Sequence, residues 1–523
     1  MKALLIAINS SYSHSNTAIW YLKYSSGCDC EVCEYNINQP QWQIFSSIVK
    51  KRPDCVAFSC YIWNIETVLR LCEDISKACP EIKIVLGGPE VSFDFNAPPF
   101  IDAVLKGECE QSFPGFLKSG KVSDEYGMVS DLSALPCPYT DDFFDANKGK
   151  IIYYESSRGC PFSCSYCLSS ATSGVRYLPV ERVLNELNIF IERKIPLVKL
   201  CDRTFNASLT RAKKIVRYIL NHNKETCFHF EIGADLLDFE LISLFKSAPE
   251  GFFQLEAGIQ SCCPETLSAI NRKCSSEQLF FNLSELISIQ NIHIHVDLIA
   301  GMPFETLKSF SDGFDKVVRL KPHALQLGFL KLLKGSALHS SDDSSLNFRS
   351  YPPYEIISTE WLSSDEIVIL KGIAELTDRY FNGKYFKFCM DCLFEIYSDS
   401  PFGFFADLYA FYLEKGVLYQ PLSIDRQFET LMLFSQSDLI PKKIDISSQV
   451  KLDYLCSGLK SKRPKDAEAV YPDKDFCYDY ASEHGITKKY NNLTFEIINE
   501  KTYLLDQTEK TDIHGRFEIK TIG

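Results

Sequence analysis

Ser157-Arg158-Gly159-Cys160-Pro161-Phe162-Ser163-Cys164-Ser165-Tyr166-Cys167 sets three thiols at C-x3-C-x2-C spacing, directly after an apolar run, Ile151 to Glu155, that reads as a strand. Thiolates are the usual ligands of iron-sulfur clusters, and spacing this short lets one loop wrap three of four irons. Cys160, Cys164 and Cys167 are therefore candidate metal ligands of a 4Fe-4S cluster. The loop offers no fourth cysteine, so one iron stays open to chelate a substrate or cofactor, which suits catalysis better than electron transfer. A zinc loop or three unrelated core cysteines are the alternatives; zinc sites favour two C-x2-C pairs.

Downstream of this loop, apolar runs alternate with helical patterns. Strands are expected at Ile151 to Glu155, Val198 to Asp202, Phe228 to Gly233, Phe252 to Gly258, Ile292 to Gly301 and Ala324 to Leu330. Segments such as Val180 to Arg193 carry helical spacing between them. Six such repeats predict an α/β parallel sheet curled into a partial (β/α)6 barrel over residues 150–345. Upstream, residues 1–122 give five shorter strands, from Ala3 to Ile8 through Ala103 to Lys106, again alternating with helices. That pattern predicts a doubly wound, flavodoxin-like sheet. Residues 123–149, with Pro136, Pro138 and two consecutive aspartates, read as a linker. Residues 346–523 read as a mostly helical extension, with aromatic-rich helices at Glu366 to Phe381 and Phe402 to Gly416 and a late β hairpin within Leu493 to Ile522.

A formal net charge of -13 argues against a surface built to neutralise a phosphate backbone, so no nucleic-acid partner is expected. No apolar run reaches the roughly 18 residues of a membrane span, and the first residues read as a strand without a leader, which predicts a cytoplasmic protein with no membrane partner. Twenty-one cysteines in such a chain are read as reduced thiols, most of them small buried hydrophobes, Cys55, Cys60, Cys201 and Cys227 in particular. The Cys28, Cys30 and Cys33 group reads as coincidence on a strand, and the Cys389/Cys392 pair as incidental on a helix, an accessory cluster being the alternative.

The cysteine motif, its Arg-Gly lead-in and the aromatic before the last cysteine resemble the radical S-adenosylmethionine superfamily over about residues 151–335. The resemblance implies that the open iron chelates S-adenosylmethionine, whose reductive cleavage yields a 5'-deoxyadenosyl radical. It also implies cofactor-binding residues at strand ends: Glu256, Gln260 and Ser261 in Phe253 to Ser261, Gly301 after Val296 to Ala300, then Asp202, Glu231 and Arg272. A helix cap or solvated loop is the plain alternative for each polar residue alone.

Placed before such a barrel, the N-terminal sheet resembles the cobalamin-binding domain of cobalamin-dependent members. The segments leaving its strand ends carry Ser59 and the Gly87-Gly88-Pro89-Glu90 stretch, and Gly107-Glu108 precedes a helix. Ser59, Gly87 and Gly88 are the candidate cobalamin contacts, glycines permitting close approach of backbone to ligand. The D-x-H-x-x-G motif that supplies a cobalt ligand in some cobalamin proteins is absent, and His14 reads as a solvated loop histidine. A degenerate sheet that only packs against the barrel is the alternative. The resemblance as a whole implies a cobalamin-dependent methyltransferase acting on an unactivated carbon of a small molecule or peptide, served by a donor such as flavodoxin or ferredoxin. A non-methylating radical enzyme, or a non-catalytic iron-sulfur protein, are the other readings. No catalytic side chain is singled out.

Overall fold

A computed structural model describes residues 2–522 apart from 123–124, 342–343, 460, 485–491 and 514. The chain divides into two compact units: Met1–Ala257 with Leu267–Asn282 and Leu330–Thr359, and Gly258–Thr266 with Leu283–Phe329 and Glu360–Gly523.

In the first unit, β1 (Ala3–Asn9), β2 (Cys30–Asn36), β3 (Cys55–Ser59), β4 (Lys83–Gly87) and β5 (Ala103–Leu105) pair in parallel in the order β2-β1-β3-β4-β5. This is the flavodoxin-like order expected from the alternation. Every residue of β1 is buried, the mark of a central parallel strand covered on both faces. The helix Ile65–Ala78 buries Ile65, Val68, Leu71, Cys72 and Ile75, one stripe at helical spacing. Each such aliphatic side chain contributes about 1.5 to 3 kcal/mol when fully buried.

The stretch read as a linker is folded over its described residues, from 125 onward. Its aromatics form a core of their own: Tyr139 and Phe143 are 4% and 0% exposed, with rings 5.2 Å apart edge to face. Thr140 caps the helix Asp141–Ala146, and Gly127 forms a parallel bridge with Gly107. Apolar residues interspersed among the prolines and aspartates supply the packing that the turn signals obscured.

Four further parallel strands follow in the order β6-β9-β10-β11: β6 (Ile152–Tyr154), β9 (Leu197–Leu200), β10 (Cys227–Ile232) and β11 (Phe253–Gln260). Between β6 and β9 the chain makes an antiparallel ribbon of β7 (Ser157–Cys160) and β8 (Gly174–Tyr177). The first cluster cysteine therefore ends a ribbon strand and not the barrel strand.

The second unit holds the parallel pair β12 (His293–Ala300) and β13 (Ala324–Phe329). Its helix Leu307–Arg319 opens with a capping box between Thr306 and Ser309. The extension forms the two expected aromatic helices at Ser364–Leu376 and Pro401–Glu414, and Phe404, Phe405, Tyr412 and Phe428 are fully buried. The late hairpin, Leu493–Ile498 with Lys501–Asp506, gains a third strand at Ile519–Thr521. Cys389 is fully buried on the helix Lys387–Ile396, where Asp453 accepts its backbone N–H. No helix among the described residues is long and apolar enough to cross a membrane.

Candidate active site

Cys160, Cys164 and Cys167 lie on the β7–β8 ribbon and the loop within it, Cys164 buried and the other two half-buried. Gly159 takes φ +91°, and a Cβ there would stand 2.1 Å from the carbonyl oxygen of Gly174. Only glycine lets the ribbon close beside the first thiol. The loop is pinned from outside: Ser165 N–H donates to the Ile270 carbonyl at 2.9 Å, the Ser165 carbonyl accepts from Leu338 N–H at 2.8 Å, and Asn271 Nδ2 donates to Ser163 Oγ at 2.8 Å. Arg272 brings Nη1 within 3.9 Å of Cys164 Sγ. Burial pushes the Cys164 thiol up, and the charge of Arg272 draws it part of the way back. Among the described residues no three ligating side chains converge on one point, as a single ion would need. A cubane takes its thiolates on three separate irons, so a pinned loop with three spaced thiols and a cation beside them fits a cluster.

Asp202 follows β9 and is buried at 2% exposure. Its Oδ1 accepts the backbone N–H groups of Ser156 and Ser157 at 2.7 and 3.1 Å, and its Oδ2 their hydroxyls at 2.6 and 2.7 Å. Burial pushes this carboxyl up while the serine bonds hold it down. All four bonds fall on the two residues that enter the ribbon, so Asp202 orients the cysteine loop from behind. Beside it, Arg158 binds three carboxylates: Glu110 at 2.6 Å, Glu155 at 2.9 Å and Glu108 at 3.0 Å. Arg176 of β8 also pairs with Glu108. Burial raises the Glu108 carboxyl, and its bonds to Arg176 and Arg158 bring it below its ordinary value. The Arg-Gly lead-in and the Gly107-Glu108 pair, noted separately in the sequence, are thus one ion-pair cluster.

Two cavities of 390 and 540 Å³ adjoin through shared walls at Glu155, Arg158, Cys201 and Arg203. The first opens on the carboxyl ends of the N-terminal strands, where Ser59, Gly87 and Gly88 line it, and reaches Gly159 and Leu168 of the cluster ribbon. Gly88 takes φ +108°, and a Cβ there would fall 2.6 Å from the Cys60 carbonyl, so the backbone borders the cavity directly. A ligand cradle at these strand ends is where a doubly wound sheet binds a cofactor, and the glycine-lined wall fits cobalamin. The second cavity is lined by Glu231 and Glu256, neighbours across β10 and β11, with Arg203 and His229. His229 Nε2 lies 3.1 Å from Glu256 Oε2; burial pushes the Glu231 carboxyl up and the Arg203 charge draws it back.

Cys201 departs from its expected place among buried hydrophobes. β9 ends at Leu200, so Cys201 begins the outgoing loop and is exposed in the wall of both cavities. His14 also departs from its reading as a solvated residue: its Nδ1 lies 2.6 Å from the Tyr153 hydroxyl and it lines the second cavity. Arg203, Lys199 and His229 were not singled out from the sequence; for Lys199 and His229 the signal is the period of two along β9 and β10 that places them with Glu231, and Arg203, in the loop after β9, carries none.

Gln260, Ser261 and Gly301 lie in the second unit. Gln260 has φ +70°, and its Oε1 is buried without a partner among the described residues. Ser261 donates to Glu305, a residue the sequence reading passed over. Burial raises the Glu305 carboxyl to about 8. Gly301 follows β12 with φ +85°.

Family models match three stretches: the B12 binding domain over residues 4–117, the Radical SAM superfamily over 154–317, and a protein of unknown function, DUF4080, over 343–518. The chain is similar to the cobalamin-dependent radical SAM methyltransferase TokK of Streptomyces tokunonensis, at 25% identity over 62% of this chain and 54% of that one. It is also similar to the 2-(S-pantetheinyl)-carbapenam-3-carboxylate methyltransferase of Streptantibioticus cattleyicolor, at 26% identity over 52% and 46%. The chain thus spans about half the length of these relatives. Among solved structures, the radical S-adenosylmethionine methyltransferase TsrM from Kitasatospora setae, with cobalamin and a 4Fe-4S cluster bound, shares the fold at TM-score 0.54 and 16% identity over 68% of this chain and 79% of that one. The cobalamin-dependent enzyme OxsB does so at TM-score 0.51 and 15% identity, over 93% and 76%. The matched domains assign cobalamin to the N-terminal sheet and S-adenosylmethionine with a 4Fe-4S cluster to the barrel. The chain thus combines, in order, a stretch matching the B12 binding domain, a stretch matching the Radical SAM superfamily and a C-terminal stretch matching a domain of unknown function.

Proposed function

We propose that this protein is a cobalamin-dependent radical S-adenosylmethionine methyltransferase that transfers a methyl group to an unactivated carbon of a small polar substrate. The observation that carries the reading is the pair of adjoining cavities, one at the glycine-lined ends of the N-terminal strands and one at the carboxylate-lined ends of β9 to β11, with the cysteine ribbon beside the shared wall. When bound, the cluster supplies the electron that cleaves S-adenosylmethionine and cobalamin carries the methyl group. The chain's own part is positional. Asp202 and the Arg158 ion pairs hold the cysteine loop, Arg272 stands beside Cys164, and Glu231, Glu256 and Arg203 offer charged contacts to S-adenosylmethionine and substrate. Ser59, Gly87 and Gly88 serve as cobalamin contacts, and Gln260, Ser261 and Gly301 as contacts to S-adenosylmethionine. A soluble donor such as flavodoxin or ferredoxin in the cytoplasm completes the reading. The names of TokK and TsrM as methyltransferases support it.

The test is anaerobic purification and reconstitution. The expected protein shows cobalamin absorbance, holds about four irons per chain and releases 5'-deoxyadenosine from S-adenosylmethionine under reduction. Cys160→Ala, Cys164→Ala and Cys167→Ala should lose that release and keep the cobalamin. Cleavage without bound cobalamin would favour a non-methylating radical enzyme, and bound iron with no cleavage would leave an electron carrier.

A further inference from the structure

The register of the barrel strands sets Tyr153 beside Lys199 and Lys199 beside His229, so the three occupy one layer across β6, β9 and β10. All three line the second cavity. Barrel interiors are ordinarily filled by branched apolar side chains, and burying a polar group without a partner is costly. Two of the three have partners: His229 meets Glu256, and Tyr153 meets His14. Lys199 has neither hydrogen-bonding nor ion-pair partner among the described residues. The cavity's carboxylates are Glu110, Glu155, Glu231 and Glu256: the first two are already paired with Arg158 and Glu256 meets His229, while Glu231 stands two residues beyond His229 along β10, about 7 Å on. His14 offers the lysine no counter-charge in either protonation state; desolvation and then the Lys199 charge lower its pKa. A lone ammonium with three donors is thus left in the wall of a 540 Å³ chamber, a size that suits a small ligand.

We infer that Lys199 forms an anion subsite at the floor of the second cavity, which takes a carboxylate or phosphate group of the substrate. The inference rests on the reading of this cavity as the substrate chamber, and it narrows the substrate to small anionic molecules. Lys199 supplies a compact point charge, and the imidazole of His229 and hydroxyl of Tyr153 border it with further polar contacts.

The subsite is tested on purified holoprotein by amine acylation mapped by mass spectrometry, with inorganic phosphate, acetate or chloride added at equal ionic strength. The expected result is that phosphate or acetate slows labelling of Lys199 by about tenfold, while exposed Lys77 labels at an unchanged rate. Protection by phosphate alone identifies a phosphate-bearing substrate, and protection by acetate as well extends the class to carboxylates. Equal labelling in all three salts, or equal protection by chloride, overturns the inference as screening or adventitious binding. Lys199→Met gives a second reading: phosphate binding followed by 31P line broadening should weaken by about tenfold with iron and cobalamin contents unchanged. Retained phosphate affinity overturns it. Because cofactor contents and 5'-deoxyadenosine release are measured separately, failure of the subsite is distinguishable from failure of the methyltransferase reading.

Discussion

At the residue scale, the second unit holds a carboxyl group that ought to govern its pH response. Glu305 is 1% exposed; one oxygen accepts from Ser261, and the other has no partner among the described residues. Burial raises its folded pKa to about 8 from an ordinary 4.5. Between those values the folded chain keeps a proton that the unfolded chain has released. Stability contributed by this residue is therefore full at low pH and falls as pH rises through that window. Glu305→Gln keeps a neutral hydrogen-bonding group in place, so its apparent Tm should decline less steeply than wild type between about pH 5 and about pH 8. Asp453, raised to about 7, and other carboxyls raised by burial, such as Asp315, continue to titrate in both proteins and contribute to the remaining slope. Identical slopes would show that Glu305 is ionised in the folded state. None of this is visible in the stretch Gly301 to Thr306, since the shift comes from enclosure and not from neighbouring sequence.

At the element scale, the β7–β8 ribbon is the piece that presents the thiols, and its closure depends on Gly159. An added methyl group would meet the Gly174 carbonyl, and the backbone at φ +91° is strained for any other residue, at a cost of about 1 to 3 kcal/mol. The opposite strand must shift to relieve it. Gly159→Ala is expected to retain the far-ultraviolet circular dichroism and cobalamin content of the wild type, while the iron content after reconstitution falls by more than half. Full iron loading would mean the ribbon tolerates the shift. The three cysteines were legible from spacing alone. The antiparallel ribbon was not, because Ser157 to Cys160 and Gly174 to Tyr177 are only four residues each, too short for an alternation to register.

At the scale of the whole molecule, the first unit ties the end of its N-terminal sheet to the cluster ribbon through charge. Arg158 and Arg176 bind Glu108 and Glu110, in the loop that follows β5, and Arg158, Glu108 and Glu110 also line the first cavity. A ligand that orders that loop should therefore favour the ribbon geometry that holds the cluster, and the effect must be reciprocal. Cobalamin is expected to bind cluster-loaded protein at least about fivefold more tightly than cluster-free protein. In Glu110→Gln, which removes the 2.6 Å ion pair and leaves those to Glu108, that ratio should fall. Titrations followed by cobalamin absorbance measure both, and an unchanged ratio in the variant would place the coupling elsewhere.

By itself the sequence determined the three thiols and the parallel strands of both sheets, because each is written in local spacing: C-x3-C-x2-C for the cluster, and short apolar runs between helical stripes for the strands; S-adenosylmethionine and cobalamin were implied by family resemblance and not by spacing. Two aromatic helices and the late hairpin were equally local. Only the tertiary structure decided which polar residues share a cavity. Lys199 and Glu231 lie 32 positions apart in the chain, and the parallel pairing of β9 with β10 sets them on one face. The same holds for Arg158 and Glu110, and for Asp202 and the two serines it grips. Charge pairing and burial depend on which strands lie side by side, and a period read along one strand carries no record of its neighbour.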